Sequence, residues 1–138
     1  MTLDQIALVQ SSFREVVPVA DAAARTFYAR LFELDPTTAP LFARTDMEEQ
    51  GRKLMATIGY VVAGLGDPAS ILPVARGLGA QHLAWGVTEA QYATVGAALL
   101  WTLRQTLGTA FTPEIEDAWR AAYALLAGAV ITGARAAA

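Results

Sequence analysis

Helix-capping signals and prolines recur along this chain at helix-length spacing, and they restrict its fold more than any other feature. Thr2-Leu3-Asp4-Gln5, Thr45-Asp46-Met47-Glu48 and Thr88-Glu89-Ala90-Gln91 each set a hydroxyl three residues before a glutamine or glutamate. In that pattern side chain and backbone satisfy each other's free N–H groups at a helix start. Pro18 divides two helical patterns, roughly 3–17 and 19–34, because proline has no N–H to donate and restricts the residue before it. Asp35-Pro36 reads as an N-cap with proline in the first turn, opening a short helix to about Phe42. The box at Thr45 opens a helix to about Ala63, ended by Gly64-Leu65-Gly66-Asp67-Pro68. Residues 69–84 contain Pro73, Gly77 and Gly79, which predicts a short or irregular helix that depends on tertiary contacts. The box at Thr88 opens a helix over 88–107 that stops at Gly108, and Thr112-Pro113 opens the last. Seven helices follow from these signals. Tyr60-Val61-Val62 and Val130-Ile131-Thr132 have the strongest β propensity, but each lies inside a helical pattern without alternation. The fold class is all-α.

At 138 residues the chain has the length of a single domain, 1–138, with enough surface to bury a substantial core. Hydrophobic residues make up 54% and charged residues 17%, an apolar excess for a water-exposed domain and one that an internal apolar site would use. A spanning helix would also use it, but the longest uncharged runs, 90–103 and 121–134, fall short of the about 20 residues a bilayer needs. No membrane insertion is expected. Asp4 precedes every Lys and Arg and no apolar run follows it, unlike a secretory leader, so a cytoplasmic location is expected. The absence of cysteine excludes disulfides, thiolate metal sites and cysteine nucleophiles. A net charge of −3 without a basic run gives no footprint for nucleic acid.

The only histidine is His82. Leu78 precedes it by one turn and Trp85 follows by nearly one, so its imidazole would emerge from an apolar stripe where an unpaired N–H is costly. A lone histidine in such a place is most often a packing residue. The alternative is a metal ligand whose second nitrogen donates to a backbone carbonyl one turn back. Gln50, Leu54 and Ile58 share one helix face, and a glutamine heading an apolar face lies either at its solvent edge or in a pocket. Tyr28, between Phe27 and Leu31, is either a core tyrosine or a donor to a ligand. Trp85, Trp101 and the apolar last helix fit either the core or a dimer surface, with core the default for scattered aromatics.

Six pieces of sequence stand in register with a known pattern: Phe27-Tyr28-Ala29-Arg30-Leu31-Phe32, Asp35-Pro36 with Leu41-Phe42, Gln50-Gly51-Arg52-Lys53-Leu54, His82, Tyr92-Ala93-Thr94-Val95-Gly96 and Ala118-Trp119-Arg120-Ala121-Ala122-Tyr123. Together they resemble the globin family across essentially the whole chain. The similarity is to bacterial single-domain haemoglobins and flavohaemoglobin globin domains. Neuroglobin is similar too, most of all from Leu99-Leu100-Trp101 to Thr112-Pro113. The resemblance implies a three-on-three helical sandwich of steeply crossed helices around haem b, packing for which globins are the standard illustration.

Carried over by position, the resemblance makes His82 the iron ligand, Phe42 the ring on the haem face, and Gln50 the distal residue with Leu54 beside it. Tyr28 would lean over a bound gas and Lys53 would pair with a propionate, while Leu78, Val87, Tyr92 and Val95 complete the cofactor-binding set. The implied function is reversible binding and transport of O2, with NO and CO as further ligands of a five-coordinate iron, and slow O2 release. The alternative is a nitric oxide dioxygenase making nitrate; a gas or redox sensor ranks below both. A single histidine excludes bis-histidine ligation within the chain. Tyr92 matches the tyrosine behind the histidine in flavohaemoglobins, but Ala134 falls where their glutamate is expected, which leaves a peroxidase-like push incomplete. With no flavin or NAD domain expected, turnover would draw on an external reductase. Monomer and homodimer are both compatible with the sequence.

Overall fold

The computed structural model describes residues 1–138, and nearly all of them are helical. Six α-helices follow one another: α1 (Leu3–Val16), α2 (Ala20–Leu34), α3 (Met47–Ala63), α4 (Pro68–Ala84), α5 (Glu89–Leu107) and α6 (Pro113–Ala137). Short 3-10 segments lie at Val17–Val19, Pro36–Phe42 and Gly108–Ala110, and there is no strand. The all-α reading holds.

Most ends fall where their capping chemistry puts them. Thr2 and Gln5 form the full reciprocal box of α1. Pro18 sits in the 3-10 turn that separates α1 from α2. Thr112 accepts from the Ile115 N–H at the start of α6, and Gly108 ends α5 with φ +57°, a conformation glycine adopts without a Cβ penalty.

Three expectations change. The predicted short helix after Asp35 is a 3-10 segment, because Pro40 inside it lacks the N–H that an α-helix would bond to the Pro36 carbonyl. The start of α3 is capped by Asp46 rather than Thr45: the Asp46 carboxylate accepts from the Glu48 and Glu49 N–H groups, and its charge suits the positive end of the helix. Residues 68–84 form one regular helix instead of a short or irregular one. Proline and glycine lower its intrinsic propensity, but α4 lies along α6 over its length and on no other element to a comparable extent. Packing overrides propensity there.

The helix contacts sort into two layers, α1, α3 and α4 facing α2, α5 and α6. Across the layers α1 and α4 meet α6 while α3 meets α2; within them α1 touches α3, and α5 touches both α2 and α6. The larger core cluster gathers Val9, Val16, Val61, Ile71, Ala75 and Trp119 among others. A smaller one holds Phe27, Tyr28, Leu31 and Ala98, and Leu99 packs against both. Trp119 is buried as a core residue should be, but Trp85 is 60% exposed at the end of α4, against its assignment to the core. It caps the C-terminus of α4 and touches the His82 ring, leaving most of its own surface open. No helix is long and apolar enough to cross a membrane.

One buried polar contact ties α1 to α6. Trp119 Nε1 donates to Ser12 Oγ at 2.9 Å, and that hydroxyl donates to the Leu8 carbonyl at 2.7 Å. Ser12→Ala strands the indole N–H in the core and should lower unfolding stability by about 1–3 kcal/mol. Urea unfolding checks this; a midpoint equal to the parent's would show that the indole finds another partner.

Candidate functional site

The first group of predicted side chains assembles where α2, the 3-10 segment and α3 converge. Tyr28 is buried on α2, its ring 5.3 Å from Phe42 and 6.1 Å from Phe32, centroid to centroid. Gln50, in the first turn of α3, donates from Nε2 to Tyr28 Oη at 3.2 Å. The helices come this close because Gly51 rests on Ala24: a Cβ at position 51 would lie 2.9 Å from the Ala24 methyl. Leu54 and Val95 pack half-buried on the same cluster. Burial raises the pKa of the Tyr28 hydroxyl, with the Gln50 hydrogen bond opposing, so the hydroxyl keeps its proton and remains a donor.

The second group lies on α4 and α5. His82 Nδ1 stands 3.3 Å from Tyr92 Oη. The expected backbone partner one turn back is not used. The Leu78 carbonyl four residues earlier takes the helix's own bond from the N–H of residue 82, and the ring turns to the Tyr92 hydroxyl on α5 instead. Tyr92 is itself held from behind, since the Tyr123 hydroxyl donates to its carbonyl. Burial pushes the His82 pKa below the usual value, so the imidazole is neutral at pH 7. Nδ1 and the Tyr92 hydroxyl share one hydrogen bond that either can donate; in the tautomer where Nδ1 donates, the Nε2 lone pair is free. Burial, and then the Glu89 charge, raises the Tyr92 hydroxyl, which therefore stays protonated. Leu78 and Val87 are half-buried and pack on the larger core cluster, and the Trp85 ring lies 5.7 Å from the imidazole.

No hydrogen bond or ring contact joins the two groups. Lys53 belongs to neither: it is exposed, and its ammonium lies 3.7 Å from Glu49, a surface pair of small energetic weight. Ala134 is buried and uncharged at the α4–α6 crossing. The nearby acid on α5, Glu89, is engaged by Arg135 at 2.6 and 3.0 Å.

The donor set suits haem. There is one histidine and no cysteine, and no three His, Asp or Glu side chains gather as a metal cluster. A metal would be held through a single imidazole only if it arrived in a ring that supplies the remaining ligands. The apolar side chains of both groups, Phe42, Leu54 and Val95 on one and Leu78 and Val87 on the other, are only half-buried, as side chains are that a flat apolar group would cover.

Two participants were not read from the sequence. Phe32 wedges against Phe42 at 5.7 Å and braces Tyr28; its place one turn after Tyr28 was the available signal. Tyr123 supports Tyr92 from α6, a contact that carries no local signature beyond its aromatic character. Trp85 stands beside His82, as their spacing of three residues predicts.

The Globin family model matches residues 25–130. A flavohemoprotein from Bordetella parapertussis is 34% identical over 132 residues, spanning 94% of this chain and 33% of that protein. A flavohemoprotein from Bacillus subtilis is 30% identical over 124 residues, or 86% and 31%. The chain thus spans about a third of the length of the curated relatives it matches. Among solved structures, a hexacoordinated heme protein from an anhydrobiotic tardigrade, crystallised at pH 4, superposes with a TM-score of 0.89 at 19% identity, covering 98% of this chain and 96% of that one.

Proposed function

This chain belongs to the globin family, and from that membership we propose that residues 1–138 form one domain that holds haem b through His82 Nε2 and binds O2 reversibly under Tyr28 and Gln50. The observation that carries the reading is the Gln50 to Tyr28 hydrogen bond, a pair of uncharged donors set among Phe32, Phe42 and Leu54. Haem held there would supply an iron that takes diatomic gases, NO and CO as well as O2.

The chain's own residues do the rest. His82, oriented by Tyr92, presents a neutral nitrogen at a fixed height. Phe42, Leu54, Leu78, Val87 and Val95 exclude water from the cofactor faces, which strengthens every hydrogen bond made between them. The Tyr28 hydroxyl donates toward a gas that takes on negative charge when bound, and Gln50 holds its oxygen in place. Lys53 is exposed, and its surface pair with Glu49 is weak enough to be exchanged for a propionate.

A second reading is favoured by the flavohemoprotein relatives: nitric oxide dioxygenation, in which NO, O2 and one electron combine to nitrate. The same donors would serve it, so the pocket does not separate the two. The reductase does. Haem-loaded protein is expected to show a five-coordinate ferrous spectrum and to take up and release O2 without net consumption. Sustained NO-dependent nitrate formation with a flavin reductase and NADH would establish the second reading; failure to bind O2 in the ferrous state would overturn both.

A further inference from the structure

We infer that Gly79 and Gly133 are positioning residues for His82, setting the height and tilt of its imidazole by letting α4 sink onto α6 until backbone meets backbone. A Cβ at Gly79 would lie 2.0 Å from the Val130 carbonyl oxygen and 2.7 Å from the Ala134 nitrogen. A Cβ at Gly133 would lie 2.4 Å from the Arg76 carbonyl oxygen and 2.5 Å from its Cα. The contact is therefore reciprocal, each glycine lying against the main chain of the other helix. Main chain cannot rotate aside as a side chain can.

The placement makes this a matter for the ligand and not only for packing. Gly79 precedes His82 by three residues, on nearly the same face of α4. That helix has α6 as its one extensive partner, its N-cap Asp67 makes no side-chain bond to it, and Leu72, Val74 and Leu83 on it are exposed. Its other ties lie at its two ends: the Tyr60 hydroxyl donating to the Ser70 carbonyl and Ile71 packed by Gly64 at the start, and His82 beside Tyr92 near the finish. Since Cβ contacts essentially never fall below 3.0 Å, a methyl at position 79 must part the helices by about 1 Å, and a close-packed interior passes such a step on to its neighbours. His82 would then move relative to Tyr92 on α5, whose hydroxyl sits 3.3 Å from Nδ1.

Two glycines serve as internal controls. A Cβ at Gly77 on α4 or at Gly128 on α6 meets nothing within 4 Å. Alanine at any of the four positions raises helix propensity, so a purely local effect would stabilise all four variants alike.

The inference rests on His82 holding the haem, and the haem content of the parent and of a His82 variant tests that separately. The decisive experiment is resonance Raman of the deoxy ferrous protein, with haem transfer to an acceptor protein as a second readout and circular dichroism of each apoprotein as a folding control. Gly79→Ala and Gly133→Ala should shift the iron–histidine stretch and speed haem loss by about tenfold, while Gly77→Ala and Gly128→Ala keep the parental frequency and rate. A folded Gly79→Ala with parental frequency and rate overturns the inference. If Gly79→Ala does not fold, Gly133→Ala must show the shift. If neither folds while the controls do, the crossing supports the whole domain and not His82 in particular, and the assignment is overturned.

Discussion

His82→Ala is expected to leave a folded helical protein that no longer retains haem. Alanine is the best helix former, and the imidazole is half-buried near the end of α4 with one hydrogen-bond partner, Tyr92, so the fold loses little. The cofactor loses its imidazole ligand, and the chain has no other histidine and no cysteine to replace it. Apolar contact with side chains such as Phe42, Leu54, Leu78 and Val95 would still attract a porphyrin, but without a bond to its iron. Haem transfer to an acceptor protein should accelerate by about 100-fold or more, equivalent to roughly 2.7 kcal/mol, and the purified variant should show little Soret absorbance. Adding free imidazole to His82→Gly should restore the band, because the cavity left behind has the shape of the missing ring and Tyr92 stands ready to accept from it. A variant that keeps parental haem content and spectrum without imidazole would remove His82 from the site.

Tyr28→Phe is expected to speed O2 release by about tenfold, the kinetic equivalent of one charge-assisted hydrogen bond of roughly 1.4 kcal/mol. Gln50→Leu should do less, about threefold. The structure ranks them because Gln50 spends one of its amide protons on Tyr28 Oη, so part of its effect passes through the tyrosine. Burial keeps the Tyr28 hydroxyl protonated, and with its oxygen already accepting from Gln50 its own proton is free to point at the ligand. The double variant should therefore be less impaired than the product of the two single effects, as for residues that share a network. Stopped-flow displacement of O2 by CO measures all three. If neither single variant releases O2 faster than the parent, Tyr28 and Gln50 are not the distal donors.

The helix starts at Thr2, Asp35 and Thr112 and the break at Pro18 were legible because capping and proline chemistry act over three or four residues. The one-residue difference at α3 arose where two good caps stand side by side, Thr45 and Asp46, and only the path of the chain selects the carboxylate. Position 68–84 shows the reverse limit. Proline and two glycines argue against a regular helix when read alone, yet one of those glycines, Gly79, is what admits α4 to the surface of α6 and so supplies the packing that holds the helix together.

Candidate residues followed the same division. His82, Tyr28 and Gln50 could be singled out along the chain, the first by being alone of its kind and the others by register with a family pattern. Which of them touch was not readable there. That Gln50 donates to Tyr28, that Phe32 completes the aromatic wall, and that His82 turns to Tyr92 rather than to its own helix are contacts between elements 10 to 22 residues apart or held by a different helix.

By itself, then, the sequence settled the all-α class, most helix boundaries and the residue types from which a haem pocket can be built, because these depend on composition and on backbone chemistry within a turn. Tertiary structure alone decided the depth of the α4–α6 crossing, the exposure of Trp85 and the partner of the His82 ring. Those depend on how closely two main chains can approach, a distance set by atoms far apart in the chain and by the absence of a Cβ at Gly79 and Gly133.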